Sequence, residues 1–334
     1  MKYFEERIWK KEEYNYEAAY GFIPKLTTYL HDDDKVRPCM LVIPGGGYCM
    51  VCGTEGDPVA REFYDRGMNA LVLTYTTDIT MSVPLHKQPM MDASRAIRYI
   101  RKNAERFCID PGKLTICGFS AGGHVCASIS THFKDVVDPD PSFNEFSNRP
   151  DSTILCYPVI TAGEKTHIYS IMALAGNEPS QEEIDYFSLE KNVDTDTPPA
   201  FIWQTVEDNL VPIENSDMYA DALREKGIPY AYYAFPHGWH GLSVMNERFR
   251  KGEFGDGYTN EQTDLAVENV KNYTAVNVSQ KRHDELMIQF FGNVEGIKKE
   301  PEGEPPKMPP MPVFEDVALW PTLCEYWLRS LNLL

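Results

Sequence analysis

From about residue 39 the chain alternates short runs that are apolar on both faces with longer stretches that are apolar on one. The short runs are Met40–Ile43, Ala70–Tyr75, Leu114–Cys117, Thr153–Tyr157, Ala200–Thr205 and Tyr230–Phe235. Most lack the in–out alternation of a half-exposed strand, as expected of parallel strands covered on both sides. Thr27–Leu30 adds a candidate antiparallel edge strand. Between the runs, Met90, Ala93, Ile97, Ile100, Ala104 and Phe107 recur every three or four residues and form one helical stripe. Asn215–Lys226 predicts a helix capped by Asn215 and closed by Gly227. Gly123–Phe133 predicts another. A last helix starts near Ala318, with Pro321 in its first turn and Trp320, Leu323, Trp327, Leu328 and Leu331 as its stripe. Repeated strand–helix alternation predicts an α/β fold with a doubly wound, mostly parallel sheet, in a single domain over residues 1–334.

The alternation breaks after His240. Residues 241–316 are far more than such a unit needs for one connection. Thr259-Asn260-Glu261-Gln262 has the form of a capping box. Ser279 is placed to cap a second helix, whose Leu286, Met287, Phe290 and Phe291 make an apolar face ending at Gly292. Lys298–Pro312, KKEPEGEPPKMPPMP, holds too much proline for a helix or a central strand. Residues 241–316 therefore read as an inserted helical and Pro-rich excursion before the last helix. It is a lid, a contact that makes the chain a homo-oligomer, or decoration.

Charge and composition narrow the partners. The 334 residues carry a formal net charge of −18, which repels a nucleic acid backbone or an anionic membrane but not a neutral small molecule. No apolar h-region follows Met1, and no run of about 18 apolar residues occurs, so a cytoplasmic chain without a membrane partner is expected. The eight cysteines are scattered, and Cys49-x-x-Cys52 has no second pair at zinc-site spacing. No metal and no cofactor are expected.

The chemistry concentrates in LTICGFSAGGH, Leu114 to His124. Gly118-Phe119-Ser120-Ala121-Gly122 follows a predicted strand and precedes a predicted helix, the context in which G-x-S-x-G holds a nucleophile. Small flanking residues are required because the serine must occupy a strained, tight turn. A serine hydroxyl needs a base, and in this architecture an acid and then a histidine follow later strands. Glu207-Asp208 follows the strand ending near Gln204, and His237-Gly-Trp-His240 follows the one ending at Phe235. Both stand at carboxyl ends of strands, where open α/β sheets place their sites. Residue order alone leaves Glu207 against Asp208, and His237 against His240, undecided. Gly45-Gly46-Gly47, after the first strong strand, supplies unhindered backbone N–H groups for an oxyanion, joined by that of Ala121. A phosphate-binding loop is the rival, but the Lys-Ser/Thr ending and the third glycine of G-x-G-x-x-G are both missing.

With these residues assembled, the chain resembles the α/β-hydrolase superfamily, and within it the small bacterial esterases grouped with acetyl xylan esterases and carbohydrate deacetylases. The stretches that carry the resemblance are IPGGGY, GFSAGGH, YPVITAGEKTH, LAGNEPS, TPPAFIWQTVEDNLVPIENS and FPHGWHG. The resemblance implies Ser120 as nucleophile, Asp208 as acid and His240 as base, with Gly46, Gly47 and Ala121 as oxyanion donors. Pro44 departs from it, standing where many relatives have histidine. His124 fits the motif as a packing or hydrogen-bonding residue. The implied activity is hydrolysis of short acyl esters, acetyl foremost, on xylo-oligosaccharides or related sugar esters. Tyr48, Tyr75 and Trp239 are candidates for a sugar-stacking wall, with Tyr75 the better fit to packing. Glu164 and His167 are candidate substrate contacts. Two rivals share parts of this pattern: a serine peptidase of the prolyl-oligopeptidase type, and a non-catalytic receptor on the same scaffold. The first normally carries a large domain before the hydrolase unit; the second normally lacks a triad member.

Overall fold

The computed structural model describes residues 1–292 and 312–334. Its strands are β1 (Glu5–Arg7), β2 (Lys25–Tyr29), β3 (Arg37–Ile43), β4 (Asn69–Thr74), β5 (Ile109–Phe119), β6 (Ser152–Cys156), β7 (Ala200–Thr205) and β8 (Tyr230–Phe235). The helices before the site loops are α1 (Asp57–Asp65), α2 (Gln88–Lys102), α3 (Ala104–Phe107), α4 (Ala121–His132), α5 (Ile168–Ala175), α6 (Gln181–Phe187) and α7 (Glu214–Glu225). After β8 come α8 (Glu247–Arg250), α9 (Glu261–Lys271), α10 (Gln280–Phe291) and α11 (Trp320–Ser330).

All eight strands form one sheet in the order β1-β2-β4-β3-β5-β6-β7-β8. Strands β4, β3, β5, β6, β7 and β8 are mutually parallel; β2 pairs antiparallel to β4, and β1 antiparallel to β2. Successive side chains of β3 show why its run lacks alternation. Leu41 and Ile43 join a core with Ala93 and Ile97 of α2, Val125 of α4 and Leu223 of α7. Met40 and Val42 join the opposite core with Val59 and Phe63 of α1 and Trp320 and Leu328 of α11. Both faces are thus dry, and the strand needs apolar residues at every position.

Four local expectations are corrected. The strand at Thr27–Leu30 runs over Lys25–Tyr29 and is antiparallel, but it is not the edge, because β1 pairs along its outer side. Three residues reading Glu-Glu-Arg carry no strand signal. Asn215 does not cap α7, which begins at Glu214. Its buried amide instead accepts the Ile160 and Thr161 N–H groups at 2.9 and 3.1 Å, pinning the chain after β6. No capping box forms at Thr259: Gln262 turns away and clasps the Thr77 backbone, accepting its N–H at 2.8 Å and donating to its carbonyl. Of the apolar face of α10, only Leu286 is buried.

Ser279 does cap α10, accepting the Arg282 N–H at 3.2 Å, and Gly292 closes it in a left-handed conformation. The Pro-rich stretch lies outside the described residues except for Pro312. Among the described residues, no helix is long and apolar enough to cross a membrane.

Candidate active site

Ser120 sits between β5 and α4 with φ 52° and ψ −120°, a conformation few non-glycine residues adopt. Its neighbours must be small for a measurable reason. A Cβ on Gly122 would lie 2.1 Å from the Ile43 carbonyl oxygen. The strained turn holds the hydroxyl clear of the sheet, where His240 Nε2 lies 2.8 Å from Ser120 Oγ. His240 Nδ1 lies 2.8 Å from Asp208 Oδ2.

Asp208 is itself fixed. Its Oδ1 accepts the N–H groups of Leu210 and Val211 at 3.0 and 2.9 Å, and Gln204 Nε2 reaches Oδ2 at 3.3 Å. A carboxylate so surrounded by donors accepts from the imidazole, which places the proton on Nδ1 and leaves Nε2 to accept from the serine. The Tyr157 ring meets the imidazole edge-on with centroids 4.8 Å apart. The residues left undecided by sequence order are separated here. Glu207 and His237 pair with each other at 3.0 Å on the surface, away from Ser120.

The glycine loop is held by a residue that the sequence reading passed over. Glu55 is buried, and its Oε2 accepts the Gly45 N–H at 2.7 Å while its Oε1 accepts the Tyr157 hydroxyl at 2.8 Å. Burial raises its carboxyl pKa, and the two hydrogen bonds oppose that rise. Tyr157 also accepts the Ser243 N–H at 3.0 Å, so one carboxylate ties the loop to the wall behind His240. Tyr75 fastens the same loop by donating to the Pro44 carbonyl at 2.8 Å. With the Gly45 amide engaged, those of Gly46 and Gly47 have no partner among the described residues. Gly46 has φ 120°, and a Cβ there would meet the Met50 carbonyl oxygen at 2.2 Å. Ala121, first in α4, has no carbonyl one turn behind it inside the helix. Gly46 and Gly47 border the same cavity as Ser120, and Ala121 directly follows the serine.

A cavity of about 450 Å³ opens over this group, bordered by Gly46, Gly47, Ser120, His167, Leu210 and His240. His167 thus borders the cavity over Ser120, its Nδ1 2.8 Å from Ser170 Oγ. Burial, then the nearby His240, lower its pKa, so it is neutral at neutral pH. Tyr48 is corrected: its side chain is 1% exposed and turned inward, donating to His124 Nδ1 at 2.7 Å. His124 Nε2 in turn donates to the Phe187 carbonyl at 2.9 Å, so neither ring can stack on a ligand. Trp239 is 39% exposed, meets Phe314 edge-on at 5.2 Å, and does not border the cavity. Glu164 is exposed on its loop and does not border it either. Tyr169 does border it, and is 61% exposed. In the sequence it reads as one more apolar residue at a helix start. Cys49 and Cys52 are unbridged, and burial pushes both thiols up to about 11.

The doubly wound sheet, the serine turn and the loops at the strand ends define an α/β hydrolase. Residues 26–223 match the BD-FAE family, and the chain belongs to it. It is 61% identical over 263 residues to a protein named endo-1,4-beta-xylanase B of Butyrivibrio fibrisolvens, an overlap of 79% of this chain and 41% of that one. It is 28% identical over 289 residues to an acetylxylan esterase of Xylanibacter ruminicola, covering 80% of this chain and 54% of the relative. The chain therefore spans about half the length of these two relatives. Among solved structures, an acetyl ester-xyloside bifunctional hydrolase from Caldicellulosiruptor lactoaceticus superposes with a TM-score of 0.68 at 34% identity, over 81% of this chain and 96% of that one.

Proposed function

We propose that the chain is a serine esterase that removes short acyl groups, acetyl foremost, from xylo-oligosaccharides or related sugar esters. The observation that carries this reading is the Ser120–His240–Asp208 relay, both links 2.8 Å, beside the unengaged Gly46 and Gly47 amides. The names of the relatives, an acetylxylan esterase, an acetyl ester-xyloside bifunctional hydrolase and a xylanase, support the choice of acyl group and sugar.

In this reading His240 Nε2 takes the Ser120 proton as Oγ attacks the ester carbonyl carbon. Asp208 stays ionised, keeps the imidazole in its tautomer and stabilises the imidazolium. The carbonyl oxygen, now an oxyanion, is met by the amides of Gly46, Gly47 and Ala121. Losing one such donor typically costs about 2.7–4 kcal/mol of transition-state stabilisation. The imidazolium returns its proton to the departing sugar oxygen, and a water molecule repeats the sequence on the acyl-enzyme.

The test is hydrolysis of 4-nitrophenyl acetate, butyrate and octanoate by the wild type and Ser120→Ala side by side. Fastest turnover of the acetate, lost in Ser120→Ala, is the expected result. Equal rates for the two proteins on every ester would refute the reading and turn attention to peptide substrates.

A further inference from the structure

The catalytic cavity does not end at its own wall. A second cavity, about 690 Å³, shares Cys49 and Tyr169 with it. One side of the second cavity is the loop Ile79–Ser82, another is α5, and the third is the excursion, through Asn277 and Ser279 before α10 and Arg282 and Gln289 on it. The reacting acyl group and the sugar that bears it fit within the first cavity, since whole small-molecule sites run to roughly 300–1,000 Å³. The second is therefore extra room of comparable size, joined to the reacting centre at Tyr169.

We infer that this second cavity is a binding subsite for the sugar units next to the acylated one, so that the substrate is an acylated oligosaccharide rather than a single sugar. This deepens the proposed esterase function and rests on it.

The chemistry of the walls supports a neutral, hydroxyl-rich occupant. Asn177, Asn277 and Gln289 offer amide groups that donate and accept, and Ser279, whose oxygen accepts from Arg282, keeps its hydroxyl proton to donate. Tyr169 presents a largely solvent-exposed ring at the junction, a flat apolar face of the kind that covers the C–H face of a sugar. In a chain of net charge −18, no carboxylate is found among the described lining residues. The cationic member, Arg282, spends Nε on the Thr80 carbonyl at 3.1 Å and Nη1 on Glu285 at 3.2 Å. Its Nη2 has no partner among the described residues and remains a donor for a hydroxyl.

These walls are also fixed in advance of binding. Asp78 ties its own loop, accepting the N–H groups of Thr80, Ser82 and Val83 at 2.9 to 3.1 Å. Ser82 donates to the Val276 carbonyl at 2.7 Å, and Tyr20 receives the Val276 N–H at 3.0 Å, which joins that loop and the N-terminal segment to the chain entering α10. A cleft whose sides are tied together before a ligand arrives loses less entropy on binding.

The experiment compares acetyl release from mono-acetylated xylose and mono-acetylated xylotriose, read as the ratio of kcat/KM for the two. The wild type is expected to favour the trisaccharide about tenfold, the equivalent of one modest contact region. Tyr169→Ala and Asn177→Ala are expected to bring that ratio toward one, Tyr169→Ala further. Lys281→Ala, on the exposed outer side of α10, leaves it unchanged, and thermal melts confirm that each variant is folded. A wild-type ratio within twofold of one, or a preference that survives both cavity substitutions, overturns the subsite while hydrolysis of 4-nitrophenyl acetate keeps the esterase reading. Absence of hydrolysis on every acetyl ester overturns both.

Discussion

At the carboxyl ends of β5, β7 and β8, three side chains are aimed by the backbone. Ser120 is set by a strained turn, Asp208 by two main-chain amides, and His240 by the loop leaving β8. Across the cleft, α9 and α10 are aimed by side chains. Gln262 clasps Thr77, Arg282 reaches Thr80, and Glu261 pairs with Lys25 at 2.7 Å. Their buried residues Ala266, Val270 and Leu286 belong to neither of the cores that sandwich the sheet. The first region is dictated by the fold, and many sequences of this architecture would share it. The second is fastened onto the fold by particular polar contacts, and its α10 forms one wall of the second cavity. On the proposed reading, reaction type and substrate size thus rest on two different kinds of structural support.

The largest effects are expected at the backbone-fixed end. Asp208→Asn keeps the shape but presents a group that no longer enforces the Nδ1–H tautomer. A fall in kcat of about 10⁴-fold is expected, with little change in KM. Steady-state kinetics at neutral pH measure it, and a loss below tenfold would remove Asp208 from the relay.

Next comes Glu55. Glu55→Ala leaves the Gly45 amide and the Tyr157 hydroxyl without their buried acceptor, so the glycine loop loses its anchor. A fall in kcat of about 10²-fold or more is expected, comparable to the loss of one oxyanion donor. Glu55→Gln, which can still accept from Gly45, should recover much of it. Equal damage by both substitutions would mean that charge rather than anchoring is what matters.

Beneath the serine turn, His124 makes the same end sensitive to acid. Burial lowers its pKa to about 4 in the folded chain, against about 6.5 when unfolded. Its contribution to stability is therefore complete above about pH 6.5, is lost as pH falls toward 4, and levels off below. The difference amounts to about 3 kcal/mol at most. Urea unfolding of the wild type should weaken more steeply between pH 6.5 and 4 than that of His124→Gln. Parallel slopes would show that His124 is not the group responsible.

The smallest effect is expected from the side-chain-fixed region. Gln262→Ala leaves the buried Thr77 N–H without an acceptor and should cost about 1–3 kcal/mol in unfolding free energy. The same variant should change the preference for sugar-chain length more than it changes the chemical step. Unaltered stability would show that α9 is held by other contacts.

The two regions also differ in how far the residues announced them. Six core strands were legible as apolar runs, five of them because burial on both faces forces continuous apolar residues, as at Met40–Ile43, while β8 at the sheet edge is only partly buried. Of the helices, α2, α4, α7 and α11 were legible, and α1, α5 and α6 were not. Ala200–Thr205 and Tyr230–Phe235 match to the residue. Ser120 was legible because a strained turn demands small neighbours; strand ends ordered its partners but left Glu207 against Asp208 and His237 against His240 open, and only the family resemblance pointed to Asp208 and His240. Glu55 was not, since an acid between Gly53 and Gly56 ahead of Asp57-Pro58 reads as a solvated helix start. Its burial depends on Tyr157, about a hundred residues away. Tyr48 misled for the converse reason: an aromatic beside a glycine loop suggests a binding wall, while its partner His124 is hidden on α4. Thr259 and Gln262 have capping-box spacing, but Thr77 competes for the glutamine and wins. Side chains recruited over long distances leave no local pattern.

Activation of Ser120 Oγ as a nucleophile by His240 underlies the proposed chemistry. It is tested most directly by treating the wild type and His240→Ala with a 4-nitrophenyl alkylphosphonate, which transfers its phosphonyl group to an activated serine and releases nitrophenolate. Intact-mass measurement and peptide mapping should find one phosphonyl group on the wild type, carried by the peptide containing Ser120, and almost none on His240→Ala over the same time. An unlabelled wild type, a label on another residue, or equal labelling of both proteins would contradict the account.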